Sequence, residues 1–127
     1  MADQTILVVD DERHIRELVL LSLEDAEEAG VTVHAAGDGE EALKLIESVK
    51  PDLIFLDVMM PRLNGFDVCQ RVRADEARYG RPHIVLLTAK GQDSDRQKGL
   101  TVGADEYMTK PFSPIGLIAR TREVLGL

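Results

Sequence analysis

Five short apolar runs punctuate the chain: TILVV (5–9), VTVHAA (31–36), LIFL (53–56), HIVLL (83–87) and the weaker EYMT (106–109). Their length and β-branched content predict strands. Between them apolar positions recur every three or four residues, the spacing of helices with one buried face. The first helix, after Asp11, carries Ile15, Leu18, Val19, Ser22 and Ala26 on that face and is closed by Gly30. The second runs from about Asp38 to Val49, turns Ala42, Leu43 and Ile46 inward and ends before Pro51. The third opens near Asn64-Gly65 and continues through Phe66, Val68, Cys69 and Val72. The fourth, near 93–102, has a thin apolar stripe and an interior Gly99, which costs about 1 kcal/mol relative to Ala, so it is expected to be the most plastic element. The fifth starts near Ser113-Pro114 and carries Ile115, Ile118, Ala119 and Val124.

Regular alternation of strand and helix predicts a doubly wound α/β fold, with five flanking helices on a five-stranded parallel sheet of flavodoxin-like order 2-1-3-4-5. Strands one and three are apolar almost throughout, as strands covered on both faces should be. A chain of 127 residues fits one domain, here 1–127, with room for a proper core. Fifteen basic against 23 acidic residues give a net charge of -8, which opposes direct binding to nucleic acid or anionic membranes and points to proteins and cations as partners. No apolar run approaches the ~20 residues of a membrane span and no signal-like N-terminus is present, so a soluble cytoplasmic protein is expected. The single cysteine, Cys69, lies in a helical pattern and is expected to be structural.

In the predicted topology the strand ends collect polar residues on one rim: Asp10-Asp11 after strand one, Asp57 after strand three, Thr88 after strand four and Lys110 after strand five. Three carboxylates converging on the crevice where the strand order reverses repel one another unless a cation compensates. Oxygen-only ligands favour a hard divalent ion, Mg²⁺ or Mn²⁺, over zinc. With a hydroxyl and an ammonium added, the set suits a phosphoryl group. Asp57, central on the rim, is the plausible nucleophile, forming an aspartyl phosphate. Asp11 would bind the metal directly, Asp10 through water or by orienting its neighbours, and the Met59 carbonyl could add an oxygen. Thr88 and Lys110 would neutralise charge on the transferred group. Singly, each residue has an ordinary alternative: Asp10 and Asp11 as helix caps, Asp57 as a turn residue, Thr88 as a strand end, Lys110 as a solvated charge. Their coincidence on one rim is what favours chemistry.

At these residues the chain closely resembles the receiver domains of two-component response regulators, through ILVVDDE (6–12), DLIFLDVMMPRLNGFDVCQRVR (52–73), IVLLTAK (84–90) and GADEYMTKPFSP (103–114). The resemblance implies Asp57 as phosphoacceptor, Asp10 and Asp11 as the acidic pair for Mg²⁺, and the Met59 carbonyl as a further ligand. It also implies Thr88 and Lys110 on the phosphoryl group, with a phosphohistidine on a sensor histidine kinase or phosphotransfer protein as donor. It suggests a cis peptide at Lys110-Pro111, Tyr107 as a switch aromatic coupled to Thr88, and tuning of phosphoryl lifetime by Met59 and Lys90. Output to a downstream protein would pass through the face of the fourth helix, fifth strand and fifth helix. Lys98, Asp105, Glu106 and Arg120 suit the charge pairs of receivers that dimerise there. Gly116 stands where those receivers usually carry an acidic partner, so the expected state is a monomer or a phosphorylation-dependent dimer.

Competing readings are a degenerate receiver acting as a constitutive scaffold, which the intact acidic, Thr88 and Lys110 set opposes, and an aspartate-nucleophile phosphatase of the haloacid dehalogenase type. The latter needs a second Asp two residues after the first, where Met59 stands; a phosphoacceptor signalling domain, not an enzyme acting on other substrates, is expected. His14, His34 and His83 are too scattered to share a metal. Leu20 and Leu21 exceed one helix face and could belong to a kinase-docking surface.

Overall fold

The computed structural model describes residues 4–89, 93–110 and 112–127. Lys90 and the Lys110-Pro111 peptide therefore lie outside the described residues. The strands are β1 (Thr5–Val9), β2 (Thr32–Ala36), β3 (Leu53–Asp57), β4 (His83–Ala89) and β5 (Glu106–Lys110), all parallel in the order β2-β1-β3-β4-β5. The helical segments are α1 (Arg13–Ser22), α2 (Glu24–Glu28), α3 (Gly39–Val49), α4 (Gly65–Ala74), α5 (Glu76–Tyr79), α6 (Asp93–Thr101) and α7 (Pro114–Leu125).

Strand alternation divides the interior into two cores. Leu7, Val9, Ile54, Leu56, Ile84 and Leu86 face α3 and α4. On the other side, Ile6, Val8, Leu53, Phe55, Val85 and Leu87 face α1, α2 and α7 through Val19, Leu23, Ala26 and Leu117. Side chains fix several helix starts by occupying orphan backbone N–H groups. Asp38 accepts from Glu41 N before α3, and Ser113 accepts from Gly116 N before α7, where Pro114 opens the helix. Asn64 and Asp67 cap each other's backbone at the start of α4.

Departures from the pattern-based reading have local causes. The first predicted helix breaks at Leu23, whose φ of -99° and ψ of 5° leave the helical ladder. The break lets consecutive residues Ser22 and Leu23, as well as Ala26, all face inward, whereas Leu18 is exposed. After α4 the chain turns at Asp75 into the short α5, which the apolar spacing did not predict and which places Tyr79 in the core. Strand β4 continues through Thr88 to Ala89, and β5 reaches Lys110, beyond the apolar runs that marked them. On α7 the inward face is Leu117, Thr121 and Leu125; Ile115 is 80% exposed and Ala119 is exposed as well. Gly99 is not merely a weak point of α6. A Cβ there would lie 2.6 Å from Leu86 Cδ1, so the glycine is what lets the helix backbone approach β4.

Candidate functional site

The carboxyl ends of β1 and β3 lie side by side at the point where the strand order reverses. Asp10 extends the series Ile6-Val8, and Asp57 the series Leu53-Phe55, so strand alternation turns both toward the α1 and α7 side. Both are buried. Lys110 extends the β5 series of Met108 and reaches back across β4. Its Nζ lies 2.8 Å from Asp10 Oδ2 and 3.1 Å from Asp57 Oδ1. Thus Asp10, Asp57 and Lys110, drawn from three strands, meet in one ion cluster.

Asp57 Oδ1 also accepts the Met59 N–H at 3.3 Å. Its other oxygen, Oδ2, is buried and has no hydrogen-bond partner among the described residues. Asp10 Oδ1 accepts from Glu12 N at 2.9 Å. Asp10 Oδ2 has the Lys110 ammonium at ion-pair distance but no well-directed hydrogen bond. Burial raises the Asp57 pKa from its ordinary value to about 7; the Asp10 charge adds to the rise and Lys110 offsets part of it. Burial opposes the Lys110 charge, but the neighbouring Asp10 and Asp57 carboxylates outweigh it and raise its pKa. The loop after Asp57 is held close by Gly65, where a Cβ would sit 2.4 Å from Asp57 O.

Asp10, Asp11 and Glu12 bring one carboxylate oxygen each within 4.8 Å of one another. Glu12 adds a third carboxylate to the acidic pair marked in the sequence. Its place directly after that pair was the available signal. Although Glu12 precedes the first turn of α1, its side chain makes no capping bond, and its Oε1 lies 3.8 Å from Lys110 Nζ. This all-oxygen donor set fits a hard divalent cation.

Thr88, near the end of β4, is buried. Its hydroxyl donates a long 3.5 Å bond to Met108 O. Tyr107, exposed on β5, pairs in register with Leu86. The charged residues considered for a dimer face are all engaged within the chain. Lys98 lies 4.8 Å from the Phe66 ring centroid, and Arg73 binds Asp105 at 2.7 Å. Arg120 makes two 2.6 Å hydrogen bonds to Glu106, whose Oε2 is also 2.5 Å from His83 Nε2. Cys69 is buried and its pKa is pushed up by desolvation to about 11, which leaves an inert thiol.

The family model for the response regulator receiver domain matches residues 6–122. The chain belongs to this receiver family. It is 48% identical over 123 residues to the alkaline phosphatase synthesis transcriptional regulatory protein PhoP of Bacillus subtilis, covering 97% of this chain and 49% of that one. To the phosphate regulon transcriptional regulatory protein PhoB of Pseudomonas aeruginosa it is 45% identical over 125 residues, covering 98% of this chain and 53% of that one. The receiver thus spans about half the length of these curated relatives. Its fold matches the chemotaxis protein CheY4 of Vibrio cholerae with a TM-score of 0.84 at 36% identity, over 97% of this chain and 99% of that one. Receiver domains of this family are signalling domains of two-component systems. Among the described residues no helix is long and apolar enough to cross a membrane.

Proposed function

We propose that residues 1–127 form a single receiver that accepts a phosphoryl group on Asp57 and converts it into a change of surface. The observation that carries this reading is Asp57 itself, buried at the end of the central strand with Oδ1 held by Lys110 and Met59 and Oδ2 unpartnered. Oδ2 is the oxygen left to attack phosphorus. The donor is a phosphohistidine of a sensor histidine kinase or phosphotransfer protein; its P–N bond breaks as the P–Oδ2 bond forms, and the imidazole leaves with the electron pair. Asp10, Asp11, Asp57 and the Met59 carbonyl would hold Mg²⁺ or Mn²⁺, with Glu12, grouped with the first two, close enough to assist. When bound, the cation neutralises charge on the phosphoryl oxygens. Lys110, kept charged by its two aspartates, serves the same group from the other side.

The modification adds roughly one negative charge and several strong acceptors to the end of β3. Its acceptors compete with Met108 O for the Thr88 hydroxyl, whose present bond is long. Two residues back along β4, Leu86 packs under Gly99 of α6 and pairs in register with Tyr107 of β5. A shift at Thr88 is therefore delivered to α6, β5 and α7, where Leu100, Tyr107 and Ile115 are exposed. That face is the output surface for a downstream protein or a second copy. The intramolecular partners of Asp105, Glu106 and Arg120 must be exchanged before those side chains can pair across a dimer. With a net charge of -8 the receiver itself makes no nucleic-acid contact, and its site of action is the cytoplasm. Transcriptional regulation, stated in the names of two relatives about twice its length, is an output such a switch would control.

Incubation with Mg²⁺ and acetyl phosphate, followed by intact-mass measurement, tests the assignment. Wild type should gain one phosphoryl group and Asp57→Ala none. An unmodified wild type, or an undiminished adduct on the variant, contradicts it.

A further inference from the structure

The acid crevice depends on the backbone of Asp10 as well as on its carboxylate. Asp10 is buried, and its N–H donates to Ala36 O at 3.2 Å. Its carbonyl lies ahead of the α1 ladder, in which Arg16 N bonds to Glu12 O at 3.0 Å. A buried carbonyl in that position needs another donor. Arg16 provides it, with Nη1 donating to Asp10 O at 2.7 Å. Gly37, on the turn after β2, leaves the guanidinium its space, since a Cβ there would approach Arg16 Nη1 to 3.3 Å. The same turn is closed by the Gly37 N–H donating to Glu41 Oε1 at 3.2 Å. Arg16 therefore ties the end of β1 down beside the β2–α3 turn by a charge-assisted hydrogen bond, while the next two residues carry the remaining acidic groups.

We propose that Arg16 is a positioning residue for the cation site: by holding the Asp10 carbonyl it fixes the turn that presents Asp10, Asp11 and Glu12 together, and so sets divalent-cation affinity without touching the ion. The inference rests on the reading of this crevice as a cation-assisted phosphoryl site. Its sign separates positioning from simple charge. A guanidinium beside a cation site repels the ion, so loss of charge alone would tighten binding. Loss of the carbonyl tether lets three mutually repelling carboxylates spread, which weakens it.

Mg²⁺ binding by the full chain, measured by isothermal titration calorimetry at fixed pH and ionic strength, distinguishes these cases. Arg16→Ala should weaken Mg²⁺ binding by about tenfold, in the range seen when groups that orient metal ligands are removed, and Arg16→Lys should fall between it and wild type. Far-UV circular dichroism and melting curves establish that each variant is folded. If the alanine variant does not fold, the lysine variant decides, because it keeps the charge and loses the planar fork. Wild-type or tighter affinity in the deciding variant overturns the role of Arg16 alone. A wild type that takes up no Mg²⁺ overturns the cation site itself, and this assignment with it.

Discussion

Asp57 combines two properties that oppose each other, burial and a carboxylate that, in the proposed role, must ionise to hold a cation or attack phosphorus. With its pKa raised to about 7, the folded chain holds the Asp57 proton more tightly than the unfolded chain, where the ordinary value is 3.8. Protonated Asp57 is therefore compatible with the fold at low pH, and the metal-free fold loses stability as pH rises from about 4 through about 7. Asp57→Asn removes that titration while preserving shape. In chelator, the variant should match wild type near pH 4 and be clearly more stable at pH 8, read as several degrees in Tm. Parallel stability curves for the two proteins across this range would contradict a raised Asp57 pKa. Mg²⁺ should narrow the gap at pH 8, because binding to the folded state adds stability that the proton no longer supplies.

Gly99 shows where reading residues one at a time misleads. Helix propensity alone says that Gly99→Ala should stabilise α6 by about 1 kcal/mol. The new methyl would instead meet Leu86, itself buried, at 2.6 Å. We expect Gly99→Ala to destabilise by about 1–3 kcal/mol in urea unfolding and Leu86→Ala in the same chain to recover part of the loss. A more stable Gly99→Ala protein would remove the close helix–strand approach from the account. The same distinction separates what the sequence disclosed from what it concealed. Strand order and the meeting of Asp10, Asp57 and Lys110 follow from periodicity and topology, which are visible in one dimension. The break at Leu23, the outward Ile115 and the paired state of Glu106 and Arg120 depend on which neighbour fills a given space. Glu12 was legible as an acidic residue but not as a member of the cluster, because a residue just before a helix is as readily a cap.

The connected unit that a phosphoryl group would move runs from the rim to the α6, β5 and α7 face. Thr88 and Leu86 lie on one strand, Leu86 supports Gly99, and β4 pairs with β5 along its length. Opposing motion are ties on the far side: Arg73 donates to Gly103 O and Pro82 O at 2.8 Å each and to Asp105, fastening the α6–β5 turn to α4. The arrangement predicts a local response, with α6 loosened between a shifted strand and a fixed turn while β1 and β3, fully buried from Ile6 to Val9 and from Leu53 to Leu56, stay as they are. Hydrogen exchange read by mass spectrometry can follow it, using Mg²⁺ with beryllofluoride as a phosphoryl mimic at dilute protein concentration. Exchange over 97–101 should accelerate severalfold, exchange in β5 should change with it, and β1 and β3 should not respond. Asp57→Asn should show none of these changes under the same conditions. Uniform acceleration throughout the chain would mean global destabilisation, and an effect confined to the rim would mean that Leu86 and Gly99 do not carry the signal; either result would break the proposed link between Asp57 and the output face.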